Sequence, residues 1–172
     1  SGLTVRNLAC VRGERGLFHD LNFALENGGL LQVRGPNGSG KTSLLRLLCG
    51  LLPAASGEIV WNGEPVRDSG EEYPARLSYV GHLNGVKDEL NALENLRFSA
   101  RLAGLQGDDA ALLAGLRDFG LDGCKHLPCK VLSQGQRRRL ALARLRLSAA
   151  RPLWVLDEPF AALDAAGIAV VG

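Results

Sequence analysis

The sequence predicts an α/β core with an antiparallel β flank ahead of it and a helical insertion inside it. Three observations carry that prediction. Apolar residues alternate with polar ones through positions 3–25. Short apolar runs at 30–33, 77–80 and 153–156 end at glycine or at acids, as buried strands do. Between about 84 and 150 the strand signal gives way to leucines at helical spacing.

Length and composition fit this class. The chain has 172 residues, enough for one domain with an insertion. Hydrophobic residues make up 46% and charged residues 22%, which excludes a disordered chain. Twenty Lys+Arg against 18 Asp+Glu leave a net charge of +2, which excludes a globally polybasic protein. No run of about 18 consecutive apolar residues occurs, so no membrane span is expected. The start, Ser1-Gly2, lacks the charged and apolar regions of a secretory signal. Methionine is absent, so the start residue is expected to have been removed or replaced.

The elements follow in order. Leu3, Val5 and Leu8, then Phe18, Leu21, Phe23 and Leu25, flank the turn Arg12–Gly16 and predict a half-buried hairpin ending at Asn27-Gly28-Gly29. Leu30–Val33 is expected as a central buried strand. A glycine-rich loop comes next, then a helix over about 41–51 closed by Pro53. Glu58–Gly63 predicts a strand and a turn, and Leu77–Gly81 another strand. Leu93, Leu96, Leu102 and Leu105, then Leu112, Leu113 and Leu116, predict two or three short helices, followed by a long one over about 135–149. Leu153–Leu156 is expected as a buried strand. The core therefore spans 1–83 and 151–172, and the helical subdomain 84–150.

Cys10, Cys49, Cys124 and Cys129 form no Cys-x-x-Cys pair. Cys49 sits in an apolar run and reads as a small core residue. Cys124, His126 and Cys129 lack a fourth ligand at finger spacing, so reduced thiols are the expectation and a metal site is not.

Gly35-Pro36-Asn37-Gly38-Ser39-Gly40-Lys41-Thr42 matches G-x-x-x-x-G-K-[ST] between a predicted strand and a predicted helix. Glycines let backbone N–H groups close around phosphate oxygens, and the helix directs its positive end at the same anion. Lys41 supplies a point charge for β- and γ-phosphates, and the Thr42 hydroxyl suits Mg²⁺. At the end of the 153–156 strand stand Asp157 and Glu158. As a parallel neighbour of Leu30–Val33 this strand is expected to put Asp157 beside the phosphate loop, positioned to bind Mg²⁺ through a water, with Glu158 expected to polarise the attacking water. Leu132-Ser133-Gln134-Gly135-Gln136 opens the long helix with a good N-cap and forms a second anion site. One chain cannot bring both anion sites to one nucleotide from opposite flanks, whereas two facing chains can.

The trio in this order resembles the ATP-binding cassette (ABC) proteins over nearly the whole chain. The resemblance implies a P-loop NTPase core of RecA-like type and an ATPase that binds ATP with Mg²⁺. It assigns Gly35, Pro36, Asn37, Gly38, Ser39, Gly40, Lys41, Thr42 and Ser43 to the nucleotide. Thr42 and Asp157 fall to the metal, Lys41 and Glu158 to catalysis. Ser133, Gly135 and Gln136 face the nucleotide of a second ATPase subunit in a head-to-tail dimer. Asp164, in Phe160–Asp164, falls in the loop that touches the partner. Arg12 falls where the family places an aromatic residue on adenine, and a guanidinium plane also stacks on a base. The family's γ-phosphate-sensing glutamine falls near 82–84, where His82-Leu83-Asn84 offers His82 or Asn84. The family's switch histidine lies beyond the end of these residues, so hydrolysis by this stretch alone is expected to be impaired.

Tyr79–Lys87 with Leu93–Leu96, Ser133–Leu145 and Asp157–Asp164 further resemble the CcmA group of cytochrome c maturation ATPases. That resemblance implies haem export or handling at the cytoplasmic face of the bacterial inner membrane, with integral membrane subunits of CcmB and CcmC type. The rival within the family is an ABC ATPase acting on ribosomes or DNA, which usually carries two cassettes or a long coiled-coil insertion. A small-molecule kinase leaves Leu132–Gln136 unexplained. Eight cations and no acid lie between Asp122 and Asp157. No aromatic residue interleaves them, so they are expected to flank a triphosphate site and pair with acids elsewhere, and no nucleic-acid partner is expected.

Overall fold

The computed structural model describes residues 2–81, 85–102, 104–105, 108–147 and 151–158. The chain divides into two compact units, Ser1–Leu77 and Ser78–Gly172.

In the first unit β1 (Gly2–Arg12) and β2 (Arg15–Glu26) pair antiparallel across the two-residue turn Gly13-Glu14, in the register Leu3↔Leu25, Val5↔Phe23, Leu8↔Leu21 and Cys10↔Phe18. The apolar spacing in β1 runs 3, 5, 8, 10, with one step of three where strict alternation requires two. The structure shows why. The register shifts between Val5 and Leu8, and Asn7 adopts φ 48°, a left-handed conformation that Asn tolerates. Its N–H donates to Asn22 Oδ1 at 2.8 Å. The bulge returns Leu8 and Cys10 to the buried face beside Leu3 and Val5.

The other edge of β1 pairs antiparallel with β3 (Ser56–Trp61), Leu3 facing Trp61 and Val5 facing Ile59. Asn62-Gly63, both at positive φ, turns β3 into the short β4 (Glu64–Pro65), the dipeptide such hairpins favour. The sheet order is β2-β1-β3-β4. Helix α1 (Lys41–Leu48) buries Ser43, Leu44, Leu47 and Leu48. It ends three residues earlier than the sequence suggests, and Gly50 rather than Pro53 closes it. With Gly50 at φ 70°, its N–H donates to Leu47 C=O and Leu51 N–H to Arg46 C=O, satisfying carbonyls the helix cannot. The buried Tyr73, on the short helix α2 (Glu72–Ala75), donates its hydroxyl to Leu48 C=O at 2.6 Å and meets Trp61 edge to face at 6.0 Å.

In the second unit β5 (Leu77–Val80) and β6 (Leu153–Leu156) form a two-stranded sheet. Helices α3 (Ala92–Leu102), α4 (Asp109–Asp118) and α5 (Gln134–Leu147) pack on one another. Asn91 and Glu94 cap α3 reciprocally, Asp108 caps α4, and Arg97 joins the two helices by donating to Asp109 at 2.8 Å. Helix α5 is buried on two sides. Leu140 and Ala143 belong to a core with Leu93, Leu96, Leu112 and Leu116; Ala141, Leu142 and Leu145 belong to another with Val80. No helix among the described residues is long and apolar enough to cross a membrane.

One predicted strand is absent. Leu30–Val33 makes no ladder, and Leu30 is 93% exposed. An apolar run records a capacity for burial, but a ladder also needs a second segment brought alongside it, and none of the described strands is hydrogen-bonded to this run. The expected pairing of 153–156 with 30–33 is therefore replaced by pairing with β5, Asp157 N–H donating to Val80 C=O at 2.9 Å. The long helix starts at Gln134 and is described as far as Leu147; residues 148–150 of its predicted span lie outside the described residues.

Candidate nucleotide site

The first unit carries the phosphate loop. Gly38 and Gly40 sit at φ 79° and 96°, where a side chain is strained, and a Cβ on Gly40 meets Leu17 and Phe18 at 3.2 Å. A Cβ on Gly35 lies 2.7 Å from Ser39 Oγ. So the glycines are dictated by backbone shape as well as by access for a phosphate. Ser39 N–H donates to Pro36 C=O at 3.2 Å, which closes the loop, and Asn37 is exposed at its tip. Gly40 gives α1 no side-chain cap, so no cap side chain supplies the acceptor that the first-turn N–H groups need. The Lys41 ammonium folds back and donates to the Gly35 and Pro36 carbonyls at 2.8 and 2.9 Å. Thr42 occupies the second position of α1, and Ser43 the third, buried. A glycine cradle, an uncapped helix start and an ammonium held over the loop together fit a chain of phosphates. Arg12 ends β1, exposed, opposite Arg15 across the turn.

The second unit carries the other two motifs. Ser133 Oγ accepts from Gln136 N–H at 3.1 Å, while Gln136 Oε1 accepts from Ser133 N–H at 2.8 Å. This reciprocal cap sets the start of α5 and holds both side chains at the helix's positive end. Gly135 lies between them, half-buried.

At the end of β6, Asp157 is buried and Glu158 exposed. Asp157 and the Thr42 hydroxyl are hard oxygen donors of the kind Mg²⁺ prefers. Glu158 sits at φ 50°, a conformation disfavoured by about 1–2 kcal/mol for a residue with a Cβ. The Arg138 guanidinium reaches this corner. It donates to Gly81 C=O at 3.0 Å, to Glu158 C=O at 2.6 Å and to Asp157 C=O. Burial pushes its pKa down, and the charges of Asp157 and Glu158 oppose that shift. Sequence reasoning placed Arg138 in an undifferentiated cationic stretch. The signal was its spacing from Ala141, Leu142 and Leu145, which puts it on the apolar face of α5.

The neighbouring cations are engaged more simply. Arg137 pairs with Asp88 at 2.7 Å, Lys125 with Asp122 at 3.0 Å, and Arg146 with Asp118. Cys124 Sγ donates to Leu121 C=O, and Asn95 donates to Cys129 Sγ; both thiols are buried. His82, Asn84 and Asp164 lie outside the described residues.

The profile of the family described as ABC transporter matches residues 18–161, which include the phosphate loop, Ser133–Gln136 and both carboxylates. The chain belongs to the ABC transporter family. Over 165 residues this ABC ATPase is 54% identical to the cytochrome c biogenesis ATP-binding export protein CcmA of Nitrosospira multiformis, covering 96% of this chain and 80% of that protein. An ATP-binding subunit of an ABC transporter is 27% identical with a TM-score of 0.85, covering 99% of this chain and 72% of that one. The ATP-binding cassette MJ0796, in a dimeric post-hydrolysis state bound to ADP and Pi, shares the fold at 23% identity and a TM-score of 0.83, covering 98% of this chain and 79% of that one.

Proposed function

We propose that this ABC ATPase powers an export step of cytochrome c biogenesis, coupling ATP hydrolysis to the export or handling of haem. The observation that carries the proposal is the 54% identity to CcmA over 96% of the chain. In this reading the chain lies peripherally at the cytoplasmic face of the inner membrane, docked on integral membrane subunits of CcmB and CcmC type. Residues 1–83 and 151–172 act as the nucleotide-binding core, and 84–150 as the helical subdomain.

Gly35–Ser43 hold the phosphates, and Arg12 stacks on the base. Thr42 and Asp157 hold Mg²⁺, which neutralises phosphate charge when bound. Two copies close head to tail, so that Ser133, Gly135 and Gln136 of one face the γ-phosphate held by the other, with Asp164 at the contact. His82 or Asn84 takes the γ-phosphate-sensing position. Lys41 stabilises the charge of the transferring phosphoryl group, and Glu158 orients or deprotonates the attacking water.

Affinity purification of the tagged chain from detergent-solubilised membranes tests the reading. Recovery of a multispanning membrane subunit, with ATP turnover that responds to haem, is the expected result. Recovery with ribosomes or DNA and no membrane subunit would overturn it.

A further inference from the structure

We propose that Arg138 is a positioning residue for Glu158, clamping the main chain that carries the catalytic carboxylate to the helix that carries Ser133 and Gln136. The inference rests on the reading of Glu158 above.

Arg138 is 3% exposed, the only buried cation among the described residues. A buried guanidinium is unfavourable unless its donors are satisfied. Here both terminal nitrogens donate to main chain: to the carbonyls of Gly81, Asp157 and Glu158. These oxygens belong to the ends of β5 and β6, so the fork of one side chain ties both strand ends together. Donors on the carbonyls of Asp157 and Glu158 restrain the peptide planes on either side of the Glu158 Cα. Those two planes, the first related to the Cα by φ 50°, fix the direction in which the side chain leaves the backbone. A left-handed residue with a side chain persists only where its surroundings hold it, and Arg138 supplies one such restraint.

The anchor is rigid. Arg138, Ala141, Leu142 and Leu145 are spaced i, i+3, i+4, i+7 along α5, and the last three are packed in the core shared with Val80. Helix α5 begins at the Ser133–Gln136 cap, little more than one turn before Arg138. A displacement of the helix start is thus transmitted to the Glu158 backbone through one side chain. Lysine cannot replace it, because a single ammonium lacks the planar fork that reaches three carbonyls.

The test compares Arg138→Gln, Arg138→Lys, Glu158→Gln and the double variant Arg138→Gln/Glu158→Gln in the ATPase assembled with its membrane subunits. Both Arg138 variants are expected to lower kcat by about 10–100-fold while the KM for ATP stays within about threefold. The double variant is expected to be no slower than Glu158→Gln, because a misplaced carboxylate and a missing one disable the same step. Thermal melting checks that Arg138→Gln is folded; if it is not, Arg138→Lys, which keeps the charge, carries the same comparison. An unchanged kcat in folded Arg138 variants, a loss confined to KM, or losses that multiply in the double variant overturn the clamp. Wild-type turnover by Glu158→Gln overturns instead the catalytic assignment on which the clamp depends.

Discussion

Ser133 and Gln136 show how one pair of side chains serves folding and chemistry at once. Each satisfies the other's backbone N–H. Ser133→Ala is therefore expected to destabilise the fold by about 1 kcal/mol, seen as a lower urea midpoint, apart from any effect on turnover. A variant as stable as wild type would show that the cap contributes nothing. Cys49 gives a second prediction at this scale. Burial raises its thiol pKa from 9.0 to about 12. A raised pKa means the stabilising contribution is complete below 9, where both states keep the proton. It is lost as pH rises through that window, because the unfolded thiol ionises first. Urea melts between pH 8 and 10.5 should show wild type losing stability faster than Cys49→Ala, by about 1.4 kcal/mol per pH unit at most. Parallel curves would refute it.

Among the elements, two glycines at positive φ separate conformational from steric requirements. Gly50, at φ 70°, has open space where a Cβ would sit, so Gly50→Ala should cost about 1 kcal/mol from backbone conformation alone. Gly57, at φ 84°, has no such space: a Cβ there would lie 2.3 Å from the Asn7 carbonyl oxygen, within the β1–β3 pairing. Gly57→Ala should therefore lose clearly more, about 2 kcal/mol or above, and equal urea midpoints would contradict this. The same strands show what the sequence makes legible. Alternation revealed the β1–β2 hairpin, Asn62-Gly63 revealed the β3–β4 turn, and leucine spacing revealed α3 and α4, because each signal is local. Leu30–Val33 was misread because a ladder depends on a partner segment elsewhere in the chain, which a local apolar run does not report. The phosphate-loop, cap and carboxylate motifs were legible as residue strings. Arg138 was not, because its role depends on which carbonyls the fold brings to it.

At the scale of the whole molecule, the motifs are divided between the compact units: the phosphate loop in Ser1–Leu77, the capped α5 and the two carboxylates in Ser78–Gly172. Glu158→Gln is expected to cut turnover by about 10²–10⁴-fold while ATP binding survives. Analytical ultracentrifugation with ATP should then find the variant trapped as a dimer. Lys41→Ala should lose nucleotide affinity by calorimetry and stay monomeric. Reversal of these two phenotypes would contradict the assigned roles.

The bonds from Lys41 to its own loop carry a consequence for selectivity. An arriving anion displaces two carbonyl acceptors, so it gains only the difference between the old contacts and the new. Orthophosphate, with one small headgroup, has little to set against that exchange. A polyphosphate succeeds because it engages loop amides and ammonium together. The loop is in effect self-latched, and free phosphate in solution should leave the melting temperature unmoved at concentrations where ATP raises it.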